Sequence, residues 1–145
     1  MIIGNYQYKI DDKGRVKLPQ EYREELGKTL IITLGIDDTL EIRSKLVFNE
    51  WLEKLLSKGS FTKELRKIHR SILGNSFQVD LDNQGRVKIP RSHLKILGSN
   101  QVQLLGVGDK VEIMSIENWT SFMEDTGSEI LNSLVEENYD REDKD

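Results

Sequence analysis

The alternation of apolar and polar positions along the chain changes period several times, and each change marks an element. Tyr6-Gln7-Tyr8-Lys9-Ile10-Asp11 alternates strictly, the two-residue period of a half-buried strand. Asp12-Lys13-Gly14 interrupts it as a three-residue loop, with Gly14 in the left-handed position that closes a bulged turn. Arg15 to Leu18 alternates again as the return strand. Pro19 then suits the start of a short helix over Gln20 to Leu26, and Gly27 its stop. A second hairpin follows, with Thr29 to Leu34 and Thr39 to Ile42 flanking Gly35-Ile36-Asp37-Asp38. Ser44 is placed as the N-cap of a helix with the seam Phe48, Trp51, Leu52, Leu55 and Leu56. Lys58-Gly59-Ser60 breaks that helix, and Phe61, Leu65, Ile68 and Ile72 recur at the spacing of another.

The same syntax is then written a second time. Asp11-Asp12-Lys13-Gly14-Arg15-Val16-Lys17-Leu18-Pro19 returns as Asp82-Asn83-Gln84-Gly85-Arg86-Val87-Lys88-Ile89-Pro90, offset by 71 residues. Phe77 to Asp82 leads into it, a short helix runs from Pro90 to Leu97, and Gly98 matches Gly27. Gln101 to Leu105 and Lys110 to Met114 form the second copy's own hairpin, and Ser115 starts a helix through Trp119 and Phe122. The helical pair at about residues 44–73 reads as an insertion between the copies. The expected domains are a first repeat over 1–73, a second over 74–123, and an acidic, partly disordered tail over 124–145. A lone hairpin is marginal in water, so the two copies are expected to interleave their strands in one barrel-like core. The fold class is α+β, mainly β.

Pairing across each turn sorts the side chains by chemistry. Asp11 falls opposite Arg15, Ile10 opposite Val16, Lys9 opposite Lys17 and Tyr8 opposite Leu18. In the second copy Asp82 faces Arg86, Leu81 faces Val87, Asp80 faces Lys88 and Val79 faces Ile89. One face is apolar; the other carries Arg15, Lys17, Arg86 and Lys88, with Lys9 and Lys13 added in the first copy. Lys9 directly opposite Lys17 is repulsive, and a phosphate between them would relieve it. Asp80 and Gln84 stand where the first copy has Lys9 and Lys13, so the first hairpin is expected to bind an anion more strongly. Asp11 and Asp82 hold the hairpins and orient the arginine forks, and Gly14 and Gly85 close the loops.

Averaged over the chain, net charge opposes a polyanionic partner, since the 145 residues sum to −4. Nine acidic residues from Glu124 to Asp145 stand against Arg141 and Lys144, a net −7, which leaves the preceding 123 residues at +3. Local field, not the average, governs attraction. With 37% hydrophobic and 32% charged residues and no apolar run near 18, a globular chain without a membrane span is expected. Met1-Ile2-Ile3-Gly4-Asn5-Tyr6 has neither the cationic start nor the long apolar stretch of a secretory signal. The absence of cysteine removes disulfides, thiolate metal sites and cysteine nucleophiles together, and fits a reducing cytoplasm. His69 and His93, isolated on separate helices, make no metal site, and Gly106-Val107-Gly108 sits in a hairpin without a third glycine or a following helix. No catalytic constellation, cofactor or small-molecule substrate is expected.

The paired Asp-x-x-Gly-Arg-x-x-x-Pro elements, Asp11 to Pro19 and Asp82 to Pro90, resemble the MraZ family of the AbrB-like swapped-hairpin class. The resemblance runs over about residues 1 to 123, including the lead Ile2 to Tyr6. It implies a cytoplasmic, nucleoid-associated transcriptional regulator without enzymatic activity. Such a protein binds double-stranded DNA at repeated elements in the promoter of the division and cell-wall gene cluster, as a closed ring of several protomers. The family signature falls on Asp11 with Arg15 and on Asp82 with Arg86. An alternative from another class is an antitoxin-like interaction module whose acidic tail binds a partner protein.

Overall fold

The computed structural model describes residues 1–57 and 62–143. Two units are distinguished, Met1–Ser115 and Ile116–Asp145. In the first, the strands are β1 (Asn5–Lys9), β2 (Arg15–Lys17), β3 (Thr29–Leu34), β4 (Leu40–Ser44), β5 (Phe77–Asp80), β6 (Arg86–Lys88), β7 (Gln101–Gly106) and β8 (Val111–Ser115). The helices between them are α1 (Gln20–Leu26), α2 (Lys45–Leu56), α3 (Lys63–Gly74) and α4 (Arg91–Leu97). Local signals act where they were expected. Pro19 precedes α1, Gly27 ends it, and Ser44 Oγ accepts from the Val47 amide at 3.1 Å to cap α2. Phe61 and the break at Lys58-Gly59-Ser60 lie outside the described residues.

Strand pairing corrects the expected hairpins. Six strands form one sheet in the order β1-β7-β8-β4-β3-β5, and β2 pairs with β6 in a separate two-stranded ladder. The first strand of each copy leaves its return strand directly after the turn. Asp11 N–H donates to Arg15 O at 2.9 Å, but the next amide, Ile10, donates to Asn100 O at 2.7 Å. Asp82 N–H donates likewise to Arg86 O, and Leu81 N–H to Lys28 O at 3.1 Å. Lys9 therefore lies opposite Gln101 and Tyr8 opposite Val102, while Asp80 and Val79 face Thr29 and Leu30. The opposed Lys9–Lys17 pair does not exist.

Burial explains the crossing. A hairpin folded on itself covers little of its apolar face. Exchanged between copies, Val16, Leu18, Val87 and Ile89 enter one core with Leu30, Ile32, Leu40, Ile42, Leu104 and Ile113. The opposite face of β3 and β4 is closed by α2, with Phe48 buried and the Trp51 ring 4.1 Å from the Arg43 guanidinium carbon.

In the second unit, α5 (Ile116–Phe122) is followed by a π-helical turn, Met123–Gly127, and by α6 (Ser128–Asp143). The flexible acidic tail expected from residue 124 is thus helical as far as Asp143. Ile130, Leu131, Leu134 and Val135 recur at helical spacing among good helix formers, so acidic composition masked a 3.6-residue period. α5 starts 71 residues after α2, so helices follow the second hairpin in both copies.

Candidate nucleic-acid interface

Each turn is built by one carboxylate. Asp11 Oδ1 accepts from the amides of Lys13 at 3.0 Å and Arg15 at 2.8 Å, and Oδ2 accepts from Arg15 Nε at 2.8 Å. Asp82 repeats this with the amides of Gln84 and Arg86, both at 2.9 Å, and with Arg86 Nε at 2.8 Å. Aspartate suits the task because its short side chain reaches amides two and four residues on. Gly14 and Gly85, at φ +79 and +74, donate back to Asp11 O and Asp82 O at 3.0 Å. Each arginine is hydrogen-bonded through Nε to the carboxylate of its own turn. Both arginine side chains are part-exposed, at 28% and 26%.

The β2–β6 ladder brings the two turns together. Arg15 lies opposite Lys88, Val16 opposite Val87 and Lys17 opposite Arg86. Leu18 N–H donates to Gly85 O at 3.0 Å and Ile89 N–H to Gly14 O at 2.8 Å, so each turn glycine terminates the other copy's strand. The valines are fully buried, which puts four cations on the outer face of one short ladder. Like charges directly opposite across a strand pair are destabilising. The expected repulsion is therefore present, but between Arg15 and Lys88 and between Lys17 and Arg86. Arg86 Nη1 also lies 3.9 Å from Asp11 Oδ2, which ties the turns electrostatically.

Of the six cations singled out in the sequence, the ladder gathers Arg15, Lys17, Arg86 and Lys88, and Lys13 sits exposed at the first tip. Lys9 belongs to β1 on the other sheet. One residue near this site escaped the sequence reading: Arg23 of α1 lies against Gly85. Its position depends on α1 packing beside the opposite copy's turn, which no local pattern announces.

His93 is buried, with Nε2 2.9 Å from Asn75 O, Nδ1 3.0 Å from Ser92 Oγ and its ring edge-on to Phe77; His69 Nδ1 is 3.0 Å from Leu65 O. Among the described residues no group of three His, Asp or Glu is placed to hold a metal ion. Gly106 and Gly108 lie where the N-terminal segment crosses β7, bonded to Gly4 and Ile2. Among the described residues no helix is long and apolar enough to cross a membrane.

The Arg15 amide above all, then the Arg15 guanidinium and the Lys13 amide, hold the Asp11 carboxyl below its ordinary range against a partial desolvation that raises it. Arg86 and Gln84 do the same for Asp82. A carboxyl with a lowered folded pKa stabilises above its unfolded pKa, about 3.9, and that contribution is lost as pH falls through the folded value. Both turns should therefore stay intact at about pH 5 and open only below about pH 4. Chemical shifts of the Gly14 and Gly85 amides during acid titration check this; a transition centred above pH 5 contradicts it.

Fold and site together define a duplicated, sheet-rich α+β protein in which a cationic ladder, shared by the two copies, is displayed at the surface. A family model described as "MraZ protein, putative antitoxin-like" matches residues 1–71 and again 72–141. Proteins named transcriptional regulator MraZ are similar over nearly the whole length. That of Mesoplasma florum is 33% identical over 96% of each chain, and that of Alkaliphilus metalliredigens 37% identical over 94% of this chain and 98% of its own. The Syntrophomonas wolfei protein is 35% identical, with the same coverage as the Alkaliphilus one. The chain belongs to the MraZ family.

Proposed function

We propose that this protein is a sequence-specific DNA-binding transcriptional regulator that engages promoter DNA through the paired turns Asp11–Arg15 and Asp82–Arg86. The observation that carries the reading is the β2–β6 ladder, where two like-charged pairs face each other over buried valines. Such a surface stores repulsion that a phosphate backbone relieves. Arg15 and Arg86 supply forks for base edges or phosphates, and Lys13, Lys17 and Lys88 contact phosphates, with Lys9 at the flank. The crossed strands support a swapped-hairpin, barrel-like core. Family membership supports a cytoplasmic, nucleoid-associated protein that assembles as a closed ring on repeated elements ahead of the division and cell-wall genes. One ladder with four cations is weak by itself; several ladders on tandem repeats gain effective concentration.

The test is the salt dependence of binding to the region upstream of the protein's own gene. Four ladder cations, each neutralising one phosphate, give a log–log slope of about −3.6 per engaged chain. A slope near zero would show that the ladder does not meet the phosphates and would refute the reading.

A further inference from the structure

α1 and α4 hold equivalent places beside opposite turns, yet they present different chemistry. A Cβ built on Gly14 would meet Leu94 Cδ1 at 3.0 Å, so the first turn is backed by hydrocarbon. A Cβ built on Gly85 would meet Arg23 Nη1 at 2.5 Å and Cζ at 2.8 Å, so a guanidinium lies against the second turn. Arg23 Nε is buried without an acceptor, which is unfavourable for a charged donor. The nearby carboxylates are otherwise engaged: Asp82 by Arg86, and Glu24 by Gln20 at 3.3 Å.

This guanidinium lines a cleft of about 470 Å³ between α1 and the second turn, together with Gln20, Glu24, Lys28, Asp82 and Asn83. Gln20, Arg23, Lys28 and Asn83 are hydrogen-bond donors, and Arg23 and Lys28 are the cations. We propose that the cleft is a second anion site, which takes a phosphate oxygen of the bound nucleic acid with Arg23 as its main donor. The proposal rests on the nucleic-acid reading above and extends it. The second turn has Gln84 where the first has Lys13, and a cation from the first copy's helix compensates. The planar fork suits a phosphate.

Arg23→Leu restores the side chain that the second copy carries at this place, so the variant should fold. Thermal unfolding is expected at or above that of the unaltered chain, because the orphaned donor is gone. Its DNA-binding slope should fall in magnitude by about 0.9, the share of one phosphate. Arg23→Lys should keep most of the slope. An unchanged slope and affinity in Arg23→Leu would overturn the proposal while the wider reading stands, since that reading falls on the unaltered protein's own salt slope or on full binding by Arg15→Ala. An altered oligomer size in light scattering with an unmoved slope would also overturn it, and would assign the cleft to a carboxylate of another copy.

Discussion

Arg15→Ala in every copy of the chain abolishes retardation of promoter DNA while leaving folding and oligomer size unchanged. The asymmetry follows from where the side chain sits. Its Nε is committed to Asp11, its side chain is part-exposed, and its cross-strand neighbour is Lys88. Truncation removes a pinned fork, about 1–3 kcal/mol per bidentate base contact, and the proposed ring would repeat that loss at every engaged turn. For the fold, the same change removes a like-charge neighbour of Lys88 but also the part-exposed ion pair with Asp11, so thermal stability should change little. Retardation assays at two salt concentrations, beside a melting curve, separate the effects. A folded variant that still retards promoter DNA at the original affinity would remove Arg15 from the interface.

Leu18→Ala has the opposite signature. Leu18 follows Lys17 directly but points inward, fully buried in the core shared by both copies. Deleting its branched end leaves a cavity and costs about 2–5 kcal/mol, a large share of the 5–15 typical of a domain. Lys17→Ala, one residue away and exposed, should stay within about 0.5 kcal/mol. Urea denaturation of the pair checks both values. A loss below about 1 kcal/mol for Leu18→Ala would mean that the ladder does not anchor in the core.

These adjacent residues show why part of the molecule was legible in advance. The turns were readable because their bonds are local: Asp11 reaches Lys13 and Arg15, and Gly14 takes a positive φ that the loop demands. Helix α1 was readable because Pro19 and Gly27 act on their immediate neighbours. Strand partners were not. Val16 alternates with Arg15 and Lys17 whether it meets Ile10 or Val87, since a two-residue period encodes which face is buried and says nothing about which strand lies alongside. The ranking of the first turn over the second rested on Lys9 and Lys13 standing where the second copy has Asp80 and Gln84, and β1 pairing with β7 takes only Lys9 away from the ladder. In α6 the reverse happened, with acidic composition outweighing a helical period already present.

By itself, then, the sequence determined the duplication, the two Asp–Arg turns, the inward and outward faces of the strands returning from those turns and the extent of the short helices, because these show in the order of residues or in contacts within a few positions. Only the tertiary structure decided that the return strands of the two copies pair with each other, that four cations share one ladder and that Arg23 stands against Gly85. Those arrangements follow from burying both copies' apolar faces in one core, a requirement that acts between segments about 70 residues apart and leaves no mark on local pattern.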